Sequence, residues 1–132
     1  MTKKLKCDIR EEKIGGAFIM AILQGSSYKL PVVIKSPKGE VITADMVKRA
    51  SFTFADVTKL YGDGGEVYFD YETNEWIVPL SEEETFALRG MIKWQARFLF
   101  VDGSVDGMSP KSEDVSGSID QTRFTAGGAE NA

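Results

Sequence analysis

The sequence predicts an all-β protein, an antiparallel Ig-like β-sandwich of about seven to nine short strands with one short helix near residues 82–89. Apolar and polar residues alternate with a period of two over most of the chain, and turn signals follow one another at short intervals. No helix long enough for a parallel crossover separates the strands, which argues against βαβ units. A small β-barrel would show the same pattern and stays open as the alternative.

The chain has 132 residues, enough for one domain with its own core and too few for two. We predict an N-terminal arm at residues 1–17, a β-sandwich domain at residues 18–120 and a flexible C-terminal tail at residues 121–132, which is rich in Gly, Ala and polar residues. Cys7 and Ile9 in the arm share one parity. We therefore expect the arm to add as a strand to a sheet edge, within an oligomer.

Strands are predicted at Tyr28–Lys35, where apolar residues alternate, and at Phe18–Leu23, which is continuously apolar. The sequence Ser-Pro-Lys-Gly that follows is typical of a turn, and a three-residue loop would place Ile34 opposite Ile42. Pro31 has no N–H group, so we expect its strand to lie at a sheet edge or to turn that position outward.

Shorter elements are expected in the middle of the chain. A turn of helix is predicted within Thr43–Ala50, and a strand at Ser51–Ala55. The glycine-rich segment Gly62–Glu66 could suggest a phosphate-binding loop. Because a strand follows it instead of a helix, we interpret it as a flexible turn.

A second hairpin joins the alternating segments Val67–Tyr71 and Trp76–Leu80. A four-residue loop would pair Tyr71 with Trp76, Phe69 with Val78 and Val67 with Leu80, so that all three pairs share one face. The sequence Ser81-Glu82-Glu83-Glu84 that comes next is typical of a capping box, and Gly90 would end this helix after Leu88. The same acidic run could offer carboxylates for glycoside chemistry, but the helix start explains it without a substrate.

The third hairpin begins with the alternating segment Ile92–Phe100. Asp-Gly at positions 102 and 103 favours a two-residue type I′ turn, which would place Phe100 opposite Val105. The return strand is interrupted, so we predict a bulge near Ser109-Pro110 and renewed pairing at Val115–Ile119.

Composition argues against several classes of function. The chain has no histidine and a single cysteine, so it offers no imidazole catalyst and no pair of cysteines for zinc. The net charge is −4, which argues against a nucleic-acid partner. The longest apolar run, Ala17–Leu23, is too short for a membrane span. We expect no enzymatic activity, no cofactor, no metal and no membrane partner. Trp76 and Trp94 lie in phase with the inward apolar set, so we expect core positions rather than a sugar-stacking site.

A few apolar residues lie out of phase with the predicted core. They form the candidate assembly surface: Ile19, Tyr68, Ile77, Leu99 and Val101. Outward positions of a monomeric sandwich are usually polar. These residues indicate either a surface for protein partners or scattered exposed hydrophobic side chains, which are common on monomers.

Three segments, Gln24–Val32, Trp76–Phe86 and Gln95–Gly103, together resemble small tail- or baseplate-associated proteins of phages and prophages of Gram-positive bacteria. They are similar in layout to the Ig-like N-terminal domain of upper baseplate proteins. The shared pattern consists of a Gln-Gly-Ser strand start, a Trp-x-Val-x-Leu strand, a helical turn and a Phe-x-Asp-Gly hairpin. The resemblance covers roughly residues 18 to 120.

The resemblance implies a structural role in a virion and supplies no catalytic residues. On this basis we expect a tail or baseplate protein that is made in the cytoplasm of the bacterial host, binds other virion proteins and forms a homo-oligomer. Two other functions stay open. The acidic chain could inhibit a host defence protein by mimicking nucleic-acid charge, or the sandwich could be a carbohydrate-binding module. The interspersed 16 basic and 20 acidic residues make a poor charge mimic.

Overall fold

The structure, a computed structural model, describes residues 14–19 and 21–125. Nine strands, one 3₁₀ turn (η1) and one α-helix follow one another along this part of the chain. Their bounds are β1 Gly16–Ile19, β2 Tyr28–Lys35, η1 Ala44–Met46, β3 Val47–Phe54, β4 Val57–Tyr61, β5 Tyr68–Asp70, β6 Glu75–Leu80, α1 Glu82–Phe86, β7 Gly90–Phe100, β8 Val105–Gly107 and β9 Lys111–Val115.

The strands form two antiparallel sheets. One has the order β1-β2-β6-β5, and the other has the order β8-β7-β3-β4 with β9 also paired to β7. The first order matches strands A, B, E and D of an Ig-like sandwich, and the second matches G, F, C and C′. The predicted all-β sandwich is therefore confirmed. The strand β4 was not predicted from the sequence.

Aromatic rings fill the space between the two sheets. Trp76 on β6 is fully buried, and its ring centroid lies 5.9 Å from that of Phe52 and 5.3 Å from that of Phe98, both on the opposite sheet. The indole N–H of Trp76 donates to the Ile42 carbonyl at 2.9 Å. Trp94 is 2% exposed and stacks on Phe54, so both tryptophans occupy the predicted core positions.

The first hairpin follows the predicted register. The Ile42 N–H donates to the Ile34 carbonyl at 2.9 Å, next to an isolated bridge between Lys35 and Val41. Of the two expectations for Pro31, the edge strand is wrong because β2 lies between β1 and β6, but the residue does face outward, opposite Ile77. The pairing between β1 and β2 ends at Val32, so Pro31, which lacks an N–H group, lies just beyond the ladder between these two strands.

The first strand begins earlier and ends sooner than predicted. β1 begins at Gly16, inside the predicted arm, and Ile14 already belongs to the core with 2% exposure. After β1 the chain changes neighbour: Leu23 forms a parallel bridge with Ser116, which follows β9. The predicted single strand over Phe18–Leu23 is therefore wrong. Residues 1–13, with the expected edge strand of the arm, lie outside the described residues.

The second hairpin has the predicted faces and a different register. Phe69 lies opposite Trp76, and Tyr68 lies opposite Ile77, so the pairing differs by two residues from the prediction. The loop is formed by residues 71–74, and Asn74 has a φ of 60°, a conformation that Asn tolerates. A shift of two residues preserves the inward face because side chains alternate with a period of two.

The third hairpin differs from the prediction by one residue, and this reverses a face. Val105 lies opposite Leu99 instead of Phe100. The Phe100 N–H donates to the Ser104 carbonyl at 2.8 Å, so the loop Val101–Gly103 has three residues. Val105 consequently points away from the core and is 58% exposed.

The Asp102 side chain explains the longer loop. Its carboxylate accepts the backbone N–H of Ser104 at 2.9 Å, which forms a local turn. Gly103 has a φ of 90°, as expected for a three-residue hairpin loop. Asp102 is not among the residues with positive φ, so the type I′ turn is not formed.

The return strand contains the predicted irregularity. The registers of β8 and β9 against β7 differ by one residue. The extra residue lies within residues 108–110, which confirms the bulge predicted near Ser109-Pro110. Pairing resumes at Lys111, earlier than the predicted segment Val115–Ile119.

The helix has the predicted start and is shorter than expected. The Ser81 hydroxyl accepts the Glu84 N–H at 3.1 Å, and the Glu84 carboxylate accepts the Ser81 N–H at 2.9 Å, which confirms the capping box. α1 ends at Phe86, and the chain enters β7 at Gly90 with a φ of 69°.

The first residues of the predicted tail pack on this helix. The N–H groups of Phe124 and Thr125 donate to the Glu82 carboxylate at 2.8 and 2.9 Å. The Arg123 guanidinium lies 3.6 Å from the centroid of the Phe86 ring. Residues 123–125 of the predicted tail therefore contact α1.

Candidate assembly surface

The structure does not bring the five predicted assembly residues together on one surface. Tyr68 and Ile77 lie on the sheet that contains β2 and β6, whereas Leu99 lies on the other sheet. Val101 is 61% exposed in the loop between β7 and β8, where its N–H donates to the Met46 carbonyl at 3.0 Å. Ile19 occupies a fourth place, in contact with the core.

Ile19 corrects the predicted orientation of the first strand. It lies opposite Val32, which is fully buried, and directly opposed residues share one face of a sheet. Ile19 is partly buried and packs against the core. The assignment of Ile19 to an outward surface is therefore wrong, because the strand begins at Gly16 and its parity is fixed by pairing with β2.

Tyr68 and Ile77 form a cross-strand pair on the outer face of their sheet. Ile77 is only 7% exposed even though it points outward, because its neighbours Tyr68 and Pro31 flank it on both sides. Tyr68 is 43% exposed. Of this cross-strand pair, Tyr68 is therefore the side chain that is available to a partner.

A larger apolar feature lies on the outer face of the other sheet. Leu99 and Val105 are directly opposed there, and Leu60 on β4 lines the same cavity of about 400 Å³. We call this the outer groove, formed by Leu60, Leu99, Val105, Ser51, Arg49 and Arg97. Leu60 is 51% exposed and Val105 is 58% exposed, so two of the three apolar side chains that form the outer groove are available to a partner.

Sequence reasoning found only Leu99 in this groove. Val105 was missed because the one-residue change of register turned it outward. Leu60 was missed because β4 was not recognised as a strand: its central inward residue is a lysine, Lys59, so the polarity pattern gives the wrong face.

Arginine side chains border the apolar part of the outer groove. Arg49 forms an ion pair and hydrogen bond with Asp63, and Arg97 lines the opposite side with β8. A guanidinium binds carboxylates through paired hydrogen bonds and also stacks on flat groups. Because the Arg49 guanidinium already binds Asp63, Arg97 is the residue of the outer groove that is suited to a carboxylate of a partner segment.

The three consecutive acids of α1 each have a structural partner. Glu82 binds the segment 124–125, Glu83 lies 3.2 Å from the Arg123 guanidinium, and Glu84 lies 2.9 Å from the Lys59 ammonium. Each contact joins the helix to another part of the chain. These contacts support the interpretation of the acidic run as a helix start rather than a catalytic pair.

Hydrogen bonds lower the pKa of two of these carboxyl groups. The Thr125 hydroxyl, at 2.6 Å, is the main cause for Glu82, followed by the N–H groups of Phe124 and Thr125. Burial opposes the charged form of Glu84, but its hydrogen bonds to Lys59 and Ser81 outweigh it and lower its pKa. Both groups stay ionised near neutral pH.

The described part of the chain lacks two kinds of feature. Within residues 14–19 and 21–125, no three side chains of Asp, Glu, Cys or His are grouped so that they could hold a metal ion. The same residues contain no helix that is long and apolar enough to cross a membrane.

No protein-family model matches this chain, and neither the curated proteins nor the solved structures contain a match.

Proposed function

We propose that this chain is a non-enzymatic structural protein of a phage or prophage virion, a tail or baseplate component. It acts by binding further copies of itself and other virion proteins, after synthesis in the cytoplasm of the bacterial host. The proposal is supported by the resemblance to upper baseplate proteins. The three segments that carry this resemblance form the start of β2, the β6–α1 unit and the β7 hairpin.

The observation that carries the assembly role is the outer groove. Leu60 and Val105 are exposed by 51% and 58% beside Leu99 on a regular, well-paired sheet. Covering apolar area releases about 25 cal/mol per Å², which favours a partner on this face. Each further copy brings the same face, so a homo-oligomer is the simplest assembly that covers it.

Mass spectrometry of purified intact virions tests the proposal directly. We expect peptides of this chain in particles that have been separated from host proteins, at a copy number typical of a repeated subunit. Purified protein should also associate with isolated tail components. A protein that is absent from virions and stays monomeric at high concentration would contradict the proposal.

The two other functions have distinct outcomes in the same set of experiments. Co-purification with a host nuclease, and not with virions, would favour the inhibitor. Binding on a glycan array that is lost in a Tyr68→Ala variant would favour the carbohydrate-binding module, since Tyr68 is an exposed aromatic ring on the sheet face.

A further inference from the structure

A second groove lies at one end of the sandwich. It has a volume of about 470 Å³ and lies between the turn after β2, the 3₁₀ turn η1 and the loop after β7. Met46 and Val101 are 40% and 61% exposed along it, above the buried side chains of Ile42 and Phe100. We call this the loop-end groove, lined by Pro37, Ile42, Met46, Phe100 and Val101 with a charged rim.

The rim of the loop-end groove is acidic. Glu40, Asp45 and Asp102 contribute three carboxylates, against the single ammonium group of Lys38. All four residues are exposed. An apolar floor with this rim is suited to a segment in which an apolar side chain stands among cationic ones.

The chain enters the sandwich beside this groove. The Ile14 N–H donates to the Asp106 carboxylate at 3.2 Å, and the Gly15 N–H donates to the Lys35 carbonyl at 2.6 Å. The Gly15 backbone lies so close to the groove wall that an added Cβ would be 2.4 Å from the Pro37 Cα. The preceding residues 1–13 are therefore tethered next to the groove.

The sequence of residues 1–13 complements the groove in charge and polarity. Lys3, Lys4 and Lys6 surround Leu5, and the first acidic residue is Asp8. An extended strand rises about 3.3 Å per residue, so Leu5 can reach roughly 33 Å from Gly15. The groove wall touches Gly15 itself, and the segment is thus long enough to turn back onto it.

We propose that residues 1–13 dock in the loop-end groove of their own molecule, with Leu5 on Met46 and Val101 and the lysines toward the acidic rim. A short tether gives an effective concentration in the millimolar range, which favours the same molecule over a second copy. This docking differs from the edge-strand addition expected from the parity of Cys7 and Ile9, and it does not depend on a role in virions.

Disulfide trapping tests the docking, because Cys7 is the single cysteine of the chain. We expect the full-length Met46→Cys variant to form an intramolecular disulfide with Cys7 in a glutathione buffer. The matched control is Val105→Cys. Val105 is exposed and precedes Asp106, whose carboxylate accepts the Ile14 N–H, but it lies outside the loop-end groove. A several-fold higher yield is expected for Met46→Cys. Equal yields, or covalent dimers in dilute solution, would overturn the proposal.

Methyl NMR supplies a second measurement, on a variant in which the residues of the loop-end groove are not altered. The full-length triple variant Lys3→Glu, Lys4→Glu and Lys6→Glu should release the segment and shift the Met46 methyl signal. Met91, which is 68% exposed at the start of β7, provides the internal control and should not shift. An unchanged Met46 signal would overturn the proposal.

Discussion

The Lys59 ammonium lies 2.9 Å from the Glu84 carboxylate and joins β4 to the first turn of α1. Lys59 stands opposite Phe52, on the inward face of its strand, and is 9% exposed. Its ammonium also lies 3.0 Å from the Glu66 carboxylate in the crossover between the sheets. Burial opposes the charge, but the hydrogen bonds and charges of Glu84 and Glu66 outweigh it and raise the pKa of Lys59.

Lys59→Ala should lower the free energy of unfolding by about 1–3 kcal/mol, because it leaves the half-buried Glu84 carboxylate without its cation. Urea denaturation at neutral pH measures the loss. The matched control is Lys93→Ala, an exposed lysine on the outer face of β7, which should change stability by less than about 0.5 kcal/mol. Equal effects of the two substitutions would show that the ion pair contributes nothing.

The same variant should show a defined dependence on pH. The pKa of Lys59 is raised, so its contribution is complete below the ordinary value of 10.5 and is lost as the pH rises through the folded value. The pKa of Glu84 is lowered, so its contribution is present above 4.5 and is lost as the pH falls through the folded value. The difference between wild type and Lys59→Ala should therefore be largest between these two limits.

Acid should release the segment 124–125 from the helix. The pKa of Glu82 is lowered, so the contact is complete above the ordinary value of 4.5 and is lost as the pH falls through the folded value. The amide signal of Thr125 should follow this titration in NMR spectra. At pH 6, Glu82→Gln should speed hydrogen exchange at Phe124 and Thr125, whereas Glu72→Gln, at an exposed position in the loop after β5, should leave it unchanged. Unaltered exchange in Glu82→Gln would contradict this role.

The faces of the strands were predictable from the sequence, and the loop registers were not. Both mispredicted hairpins contain an aspartate whose carboxylate accepts the N–H group two residues later, Asp70 from Glu72 and Asp102 from Ser104, each at 2.9 Å. Such local hydrogen bonds compete with the ladder and change where the loop begins. The alternation of apolar and polar residues predicts which side chains face inward, but it does not predict where such a local hydrogen bond ends the strand pairing.

The candidate assembly surface was predictable only in part, because the register of each strand determines which of its side chains face outward. Leu99 kept its predicted outward face, since β7 is long and paired on both sides. Val105 changed face with a one-residue shift, and Ile19 turned inward with an earlier strand start. The contacts of residues 124 and 125 with α1 join segments more than 40 residues apart in sequence, so composition alone did not predict them.

Trp76→Phe should destabilise the protein by about 1–3 kcal/mol through the loss of one buried hydrogen bond. The indole N–H satisfies the carbonyl of Ile42, and phenylalanine leaves this acceptor without its donor. The matched control is Trp94→Phe, which removes the same ring atoms from the stack on Phe54. Thermal and urea unfolding compare the two. A smaller loss for Trp76→Phe than for Trp94→Phe would show that the hydrogen bond contributes little.

Charge in the outer groove should prevent assembly without unfolding the sandwich. The double variant Leu60→Lys and Val105→Lys changes two side chains that are exposed by 51% and 58%, so the fold should be retained. If an interface buries both, each contributes about 1.5 kcal/mol, and their loss weakens association roughly a hundred-fold. Sedimentation velocity over a range of concentrations measures this change.

Two controls separate this face from the rest of the surface. Thr58→Lys adds a charge on the same strand and the same face but outside the groove, and Tyr68→Lys adds one on the opposite sheet. Both variants should form homo-oligomers and bind tail components as the wild-type protein does. If the double variant assembles normally while Tyr68→Lys does not, the partner binds the sheet of β2 and β6, and the outer groove is not the assembly surface.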